Sequence, residues 1–362
     1  MKCDIILPTC GDLKLVRDCV ESLIRSTSYP YRLIVVYNSS QKEAIEYLKG
    51  LGSSGKIEIK IIEPGENLGW IRSINKALEV SKDSKYVCFQ NDDTIFTEGW
   101  LEEMVYIFEK YQDVGIANPE WEKPDGVRID EYAKLIKKYK GQTIDTDWCR
   151  GHSFFVRREV IEKIGGLDTA YLPGYYDDRD YSLKAIKAGY RCVRAKAAFV
   201  YHIRNATMNR MVGEETTRNL NEKNSKIFYK KWGRPLKIVF VIKAAEAAKP
   251  ILQKVCLDQN KVVAIIKRPC DIGYEHTNMK VLSFRPFLFK LKTFAYIASM
   301  RSKKSQKAID LIFTNDKEFY KLSKFFSNIM PSEVTYHKNM DDLSGEVILS
   351  VRDKKELDKN QR

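Results

Sequence analysis

Tyr86-Val87-Cys88-Phe89-Gln90-Asn91-Asp92-Asp93-Thr94 is a short hydrophobic run that empties directly into adjacent carboxylates. Carboxylates at the end of a strand can hold a hard divalent cation through oxygen, and such a cation can grip a diphosphate. Asp and Asn also favour turns for conformational reasons, so taken alone the stretch fits either a turn or a cation site. Its surroundings decide the fold. Three earlier runs, Cys3–Leu7, Arg32–Tyr37 and Ile57–Ile62, have the same strand character. Between them apolar residues recur at helical spacing: Leu15, Cys19, Val20, Leu23 and Ile24, then Ala44, Tyr47, Leu48 and Leu51, then Ile71, Ile74, Ala77 and Leu78. This alternation predicts an α/β fold with a mainly parallel central sheet and helices on both faces. Ligands of such sheets bind beyond the carboxyl ends of the strands, where the Asn91-Asp92-Asp93 turn falls.

Downstream the pattern loosens between residues 118 and 146, where Pro119, Pro124 and Gly126 interrupt it. Helices are expected over Arg158–Ile164, ending at Gly165-Gly166, and over about Asp180–Ala188. Short strands follow at Cys192–Arg194 and Ala198–His202, then a helix from Glu214 to Trp232 that stops at Gly233-Arg234-Pro235. A second alternation begins there. Strands are expected at 237–242, 262–266, 281–284 and 309–313, helices at 244–257, 288–300 and 317–329, and a last strand at 347–351. The chain of 362 residues therefore divides into a domain over 1–234 and a smaller α/β, Rossmann-like domain over 235–362.

Composition is that of a globular protein, with 44% hydrophobic and 30% charged residues. No segment has eighteen consecutive apolar residues, and the apolar run near Met1 ends at Pro8, too early for a signal peptide. The expectation is a soluble cytoplasmic protein, or one held peripherally at the inner face of a membrane. The eight cysteines form no C-x-x-C pair and read as buried small hydrophobes in a reducing compartment. The net charge of +14 is uneven: residues 235–362 hold 24 basic and 14 acidic side chains, a net of +10, which leaves 38 and 34, a net of +4, for residues 1–234. A basic second domain suits an anionic partner or is a solvated Lys-rich surface.

A second acidic cluster is Tyr176-Asp177-Asp178-Arg179-Asp180, with three carboxylates in four residues just before a helix. One can cap the helix; three exceed what a cap needs, and clustered like charges raise one another's proton affinity, as a general base requires. His202, one of four histidines, ends the short strand Ala198–His202. A histidine there is structural or a metal ligand.

The order of these pieces resembles a known family. It runs from Ile6-Leu7-Pro8-Thr9 through Val35-Val36-Tyr37-Asn38-Ser39-Ser40, Asn67-Leu68-Gly69 and Asn91-Asp92-Asp93. Gly151 to Glu159, Gly165-Gly166-Leu167-Asp168, Tyr176 to Asp180, Ala188-Gly189-Tyr190 and His202 follow. Over roughly residues 1–232 this resembles the family 2 inverting glycosyltransferases of GT-A fold, in particular their rhamnosyl- and galactofuranosyltransferase-like branch. The resemblance implies transfer of a sugar from a nucleotide-diphosphate donor to an acceptor hydroxyl by single displacement, with Mn²⁺ or Mg²⁺. By position it implies that Pro8, Thr9, Asn38, Asn67 and Gly69 bind the nucleotide, with Asp92 beside the metal-binding Asp93. His202 would complete the metal shell, Asp178 would be the catalytic base and Asp177 the neighbouring acid. Gly151 and His152 would lie along the acceptor side, with Trp148 as a sugar platform.

Two departures matter. Tyr37 stands where the family's second-strand turn carries Asp, and Asn91 begins the carboxylate motif where Asp is usual. The polar, basic stretch Ile203–Met211 suits a flap over the diphosphate, with Arg204 or Arg210 on phosphate, or an ordinary surface loop. In the second domain, Phe284-Arg285-Pro286-Phe287-Leu288-Phe289-Lys290-Leu291-Lys292 reads either as a peripheral membrane contact or as core packing with exposed lysines. The acceptor stays open among glycan, lipid-linked intermediate and protein. A nucleotidyltransferase is disfavoured by the single glycine in Pro8-Thr9-Cys10-Gly11-Asp12. Nucleic acid as the partner of a non-catalytic binding module is disfavoured because carboxylates repel phosphates without a metal.

Overall fold

The structure is a computed structural model that describes residues 2–203, 213–243, 248–267, 271–300 and 309–338. Arg204, Arg210 and most of the expected flap, Cys270, the start of the expected 244–257 helix and the expected strand at 347–351 lie outside the described residues. The chain forms two compact units, Met1–Lys231 and Trp232–Arg362, dividing slightly upstream of the expected junction.

In the first unit β1 (Cys3–Thr9) is buried along its whole length. It pairs in parallel with β2 (Tyr31–Tyr37) and β4 (Tyr86–Gln90), and β2 pairs in parallel with β3 (Glu58–Ile62). Near-continuous apolar runs are what strands covered on both faces require. The remaining strands are β5 (Thr94–Phe96), β6 (Val114–Glu120), β7 (Thr143–Asp145), β8 (Ser153–Arg157) and β9 (Arg191–His202). Their spatial order is β3-β2-β1-β4-β8-β6-β9-β5, with β7 also on β9. The parallel amino-terminal half is as expected. The other half is mixed, because β8 runs antiparallel to β4 and β6, and β5 and β7 run antiparallel to β9.

The helices are α1 (Leu13–Ser26), α2 (Lys42–Ser53), α3 (Gly69–Leu78), α4 (Trp100–Lys110), α5 (Ile129–Ile136), α6 (Arg158–Ile164), α7 (Asp177–Lys187) and α8 (Glu214–Trp232). Asp12 starts α1 by accepting the Leu15 N–H at 3.1 Å, directly after the turn that leaves β1. Leu15, Val16, Cys19, Val20 and Leu23 on α1 are buried, and four of them join the core with Cys3, Ile5 and Leu7 of β1. All seven described cysteines are free, and six are buried.

The second unit holds a five-stranded, wholly parallel sheet of order β12-β11-β10-β13-β14. Its strands are β10 (Lys237–Ile242), β11 (Lys261–Ile266), β12 (Met279–Ser283), β13 (Leu311–Thr314) and β14 (Val334–Tyr336). The first strand is central and the chain winds outward first one way and then the other, a Rossmann-like order. One face packs on α9 (Lys249–Leu257), the other on α10 (Phe289–Ala298) and α11 (Lys317–Phe325). Among the described residues no helix is long and apolar enough to cross a membrane.

Asp4 in β1 is fully buried and accepts two bonds from Arg32 of β2, at 2.9 and 2.8 Å, and one from Ser81 Oγ at 2.6 Å. Removing one partner of a buried pair strands the other charge. Asp4→Ala is therefore expected to cost about 2–3 kcal/mol, below the ~3–5 kcal/mol of a fully buried pair because Arg32 keeps some solvent contact. Urea denaturation of the variant against the parent checks this.

Candidate active site

The carboxyl ends of β1, β2 and β4 open into a cleft of about 1110 Å³. That is at the upper limit of the ~300–1,000 Å³ usual for small-ligand sites and leaves room for a bulky ligand. Pro8, Thr9, Asn38, Asn67, Gly69, Asp92, Asp177, Asp178 and His202 all line it. Asp93 sits just behind His202.

Thr9 ends β1, and its hydroxyl donates to Asp92 Oδ2 at 2.6 Å. Asn38 directly follows β2 and is tied in on both sides of its amide: Nδ2 donates to Ser73 Oγ at 2.9 Å and Oδ1 accepts the Leu68 N–H at 3.1 Å. Asn67 Oδ1 accepts the Gly69 N–H at 2.8 Å as α3 begins. Thr9 and Asn38 thus brace the pocket wall with their side chains. Tyr37 turns away from the cleft; it is buried, and its hydroxyl donates to the Gln41 carbonyl. It does not stand in for the carboxylate that the family carries there. Gly11, at φ +86°, brings the turn after β1 against the turn after β2, and a Cβ at this position would lie 2.7 Å from Ser39 Cβ.

Asp93 and His202 are brought together by strand register. β5 pairs antiparallel with the end of β9, Thr94 opposite His202, and the Ile203 N–H donates to the Asp93 carbonyl at 2.9 Å. His202 Nε2 then lies 3.2 Å from Asp93 Oδ1, a buried oxygen that receives no well-aligned hydrogen bond. A buried carboxylate oxygen left unsatisfied beside an imidazole nitrogen fits a divalent cation. Among the described residues no cluster of three or more His, Cys, Asp or Glu side chains is arranged to hold a metal alone. Asp92, beside this pair, is pushed up to about 6 by burial, which the Thr9 hydrogen bond opposes and the Asp93 charge reinforces.

His152 lines the cleft beside His202. Its ring stacks on His202 at 4.8 Å and 15°, with Trp121 at 5.4 Å. Burial, then the nearby His202 and Arg150, hold its pKa well below the usual histidine range, so it is neutral. It acts as a flat support for His202.

The second carboxylate pair opens α7. Tyr175 and Tyr176 precede it in left-handed backbone, φ 71° and 70°, a costly conformation for bulky side chains. Packing holds it: Tyr176 lies on Phe228 at 5.1 Å, and buried Asn224 donates to the carbonyls of Tyr171 and Gly174, both at 2.7 Å. The three acids then part ways. Asp180 is buried and paired with Lys184 at 3.0 Å and Lys231 at 2.7 Å, a structural role. Asp177 Oδ2 accepts the Trp70 indole N–H at 2.9 Å. Asp178 accepts the N–H groups of Gly151, at 2.9 Å, and Arg179, at 2.7 Å. Burial, and then Asp178, push Asp177 up to about 7. Burial raises Asp178 too, opposed by its hydrogen-bond donors and by Arg150. The Trp148 indole lies near Asp178 and favours its anion, but its N–H falls short of hydrogen-bond geometry.

Trp148 does not present a bare platform. The Arg150 guanidinium covers it at 4.1 Å and reaches Trp121 at 5.2 Å, while Arg179 lies 5.5 Å from Trp148 and 4.8 Å from Phe228. This cation–aromatic ladder beside Asp178, together with Trp70 and Trp121, escaped the sequence reading. Trp70 follows directly on the quoted Asn67-Leu68-Gly69 motif, which was the available signal.

A sheet of this order, with one carboxylate turn after β4 and a second acidic cluster opening α7, defines the GT-A class of nucleotide-diphospho-sugar transferase folds. Residues 4–165 match the family described as glycosyl transferase family 2. The match ends just after α6, before Asp177, Asp178 and His202. An uncharacterized protein of Sinorhizobium fredii, y4gI, is 26% identical over 227 residues, covering 56% of this chain and 24% of that protein. The uncharacterized glycosyltransferase YwdF of Bacillus subtilis is 28% identical over 210 residues, 56% of this chain and 74% of its own length. Among solved structures, the mannosyltransferase PcManGT from Pyrobaculum calidifontis, in complex with GDP-Man and Mn²⁺, superposes with a TM-score of 0.49 at 17% identity. That superposition covers 62% of this chain and 64% of PcManGT.

Two outcomes follow from this geometry. Asn224→Ala removes the bonds to the Tyr171, Gly174 and Tyr175 carbonyls and is expected to cost about 2–6 kcal/mol, at ~1–3 kcal/mol for each of the two short ones left unpaired. Chemical denaturation measures it. Because the folded pKa of Asp177 is raised, its contribution to stability is fully present below about 4 and is lost as pH rises towards about 7. Asp177→Asn, which keeps an acceptor for Trp70, should therefore gain stability relative to the parent across that window. Equal melting temperatures at every pH would show that Asp177 carries no such strain.

Proposed function

We propose that this chain is a metal-dependent, inverting glycosyltransferase that moves a sugar from a nucleotide-diphosphate donor onto an acceptor hydroxyl. The observation that carries this reading is one cleft lined by both His202, with Asp93 Oδ1 3.2 Å from its Nε2, and Asp178. The family 2 match over residues 4–165 and the likeness to YwdF support it. The motif order favours the rhamnosyl- and galactofuranosyl-transferring branch of the family.

Asp93 and His202 are the proposed protein ligands of a divalent cation, with the donor diphosphate and water completing its shell. Mn²⁺ or Mg²⁺ held there would neutralise the charge that grows on the departing diphosphate, and the imidazole ligand tilts the choice towards Mn²⁺. Pro8, Thr9, Asn38, Asn67 and Gly69 form the nucleotide wall, and Asp92, clamped by Thr9, keeps Asp93 in place. Asp178 takes the proton of the acceptor hydroxyl as that oxygen bonds to the anomeric carbon. The bond from that carbon to the diphosphate breaks on the opposite face, and the nucleoside diphosphate leaves with the electron pair. One base and one displacement invert the anomeric centre. Gly151 and Arg179 hold Asp178 in place through their backbone N–H groups, Trp70 anchors Asp177, and burial keeps the proton affinity of both carboxylates raised. Arg150 and Arg179 give the acceptor side a positive rim. The acceptor is a glycan, a lipid-linked intermediate or a protein.

The test is a panel of nucleotide sugars, read by thermal shift with Mn²⁺ and by nucleotide release. One donor should stabilise the protein only with metal. Asp178→Asn should keep that stabilisation and lose about 10²–10⁴-fold in turnover, as removal of a positioned base does. His202→Ala should lose the metal-dependent shift. Parental turnover in Asp178→Asn would remove Asp178 from the role.

A further inference from the structure

Among its described residues the second unit exposes several large apolar side chains on and around α10 and α11. Within the segment 284–292, Phe289 enters the core, but Phe287 is 87% exposed and Leu291 68% exposed. The core-packing reading of that segment thus fails for two of its large apolar residues. Leu291 is followed one turn later on α10 by Phe294, whose ring meets Phe326 at 5.3 Å. Phe326 in turn meets Phe325 at 4.8 Å, and Phe325, at the end of α11, is 82% exposed. Ile329 extends the exposed set. Large aromatics exposed together in a row mark a contact surface.

The charge around these side chains is predominantly positive. Segments 285–300 and 317–329 hold six cations, Arg285, Lys290, Lys292, Lys317, Lys321 and Lys324, against the single carboxylate of Glu318. Glu318 is taken up by Lys290, a pairing that also ties the first turn of α10 to the first turn of α11. Lys324 pairs with Glu333 at 3.1 Å. Arg285, Lys292, Lys317 and Lys321 are exposed and add net positive charge beside the aromatics.

We infer that this face of the second unit docks on an anionic lipid bilayer, with Phe287, Leu291 and Phe325 entering the headgroup region and the lysines and Arg285 meeting lipid phosphates. Apolar side chains flanked by cations on short helices bind the interface through both terms at once, and lysine stems let the charge stay in the aqueous layer while the apolar part is buried. A second copy of the chain is the poorer occupant, because two such faces would bring six cations against six. Residence at a bilayer favours the lipid-linked class among the acceptors named above, while the docking itself stands apart from the catalytic reading.

The test is co-sedimentation of the full chain with phosphatidylcholine vesicles and with phosphatidylcholine–phosphatidylglycerol vesicles. The parent should bind the anionic vesicles, bind neutral ones weakly, and release as salt rises. The triple variant Phe287→Ser, Leu291→Ser, Phe325→Ser should lose roughly tenfold or more in binding, and so should Lys292→Glu with Lys321→Glu. All five positions are exposed, so both variants should melt with the parent. Absence of parental binding to anionic vesicles, or undiminished binding by the triple variant, would overturn the inference. So would a parental dimer in light scattering that the triple variant converts to monomer. Metal-dependent nucleotide release in solution should be unchanged in both variants, so its loss in the parent would count against the catalytic reading alone.

Discussion

Everything at the site depends on a three-residue strand. β5 is only Thr94–Phe96, yet its antiparallel register on β9 sets Thr94 opposite His202. A slip of one residue would turn His202 to the other face of the sheet and leave Asp93 without its neighbour. The register is well anchored. Thr97 Oγ1 donates to the Phe199 carbonyl at 2.6 Å, and the Phe96 N–H donates to Ser22 Oγ on α1 at 3.0 Å. Phe96 is buried against Trp100 at 4.7 Å. A short strand held by helix, core and side-chain bonds can position a cation site more firmly than a loop could.

The first unit spends stability to keep carboxylates close together out of water. Asp92 with Asp93 and Asp177 with Asp178 are adjacent pairs, and burial is the main cause of the raised proton affinity of Asp92, Asp177 and Asp178. The counterweights differ. Thr9 and backbone register steady the first pair, which still leaves Asp93 Oδ1 unsatisfied. Indole and backbone N–H groups steady the second, and the left-handed tyrosines before it are held by Asn224 and Phe228. Uncompensated carboxylates of this kind are characteristic of sites that wait for a cation or a proton.

Much of this was legible in the sequence. The parallel half of the sheet was readable because β1, β2 and β4 are apolar runs separated by helices of clear period. The acidic turns were readable because chemistry-bearing residues cluster at the ends of elements. Three things were not. The antiparallel insertion of β8 between β4 and β6 depends on pairing between distant segments, and periodicity is blind to that. The cation–aromatic ladder joins Trp121, Trp148, Arg150 and Arg179 from three separate stretches. The stacking of His152 on His202 joins residues fifty positions apart and left no local signal. In the second unit the alternation gave four of the five strands and missed β14, while the exposure of Phe287 and Leu291 needed coordinates.

The central claim is that Asp93 and His202 jointly anchor one divalent cation under a nucleoside diphosphate. Anomalous diffraction from crystals grown with Mn²⁺ and a nucleoside diphosphate tests it most directly. The account predicts a single manganese peak within about 2.5 Å of both an Asp93 carboxylate oxygen and His202 Nε2, touching the diphosphate. A nucleotide bound in the cleft with manganese absent, or with manganese held by other residues, would contradict it.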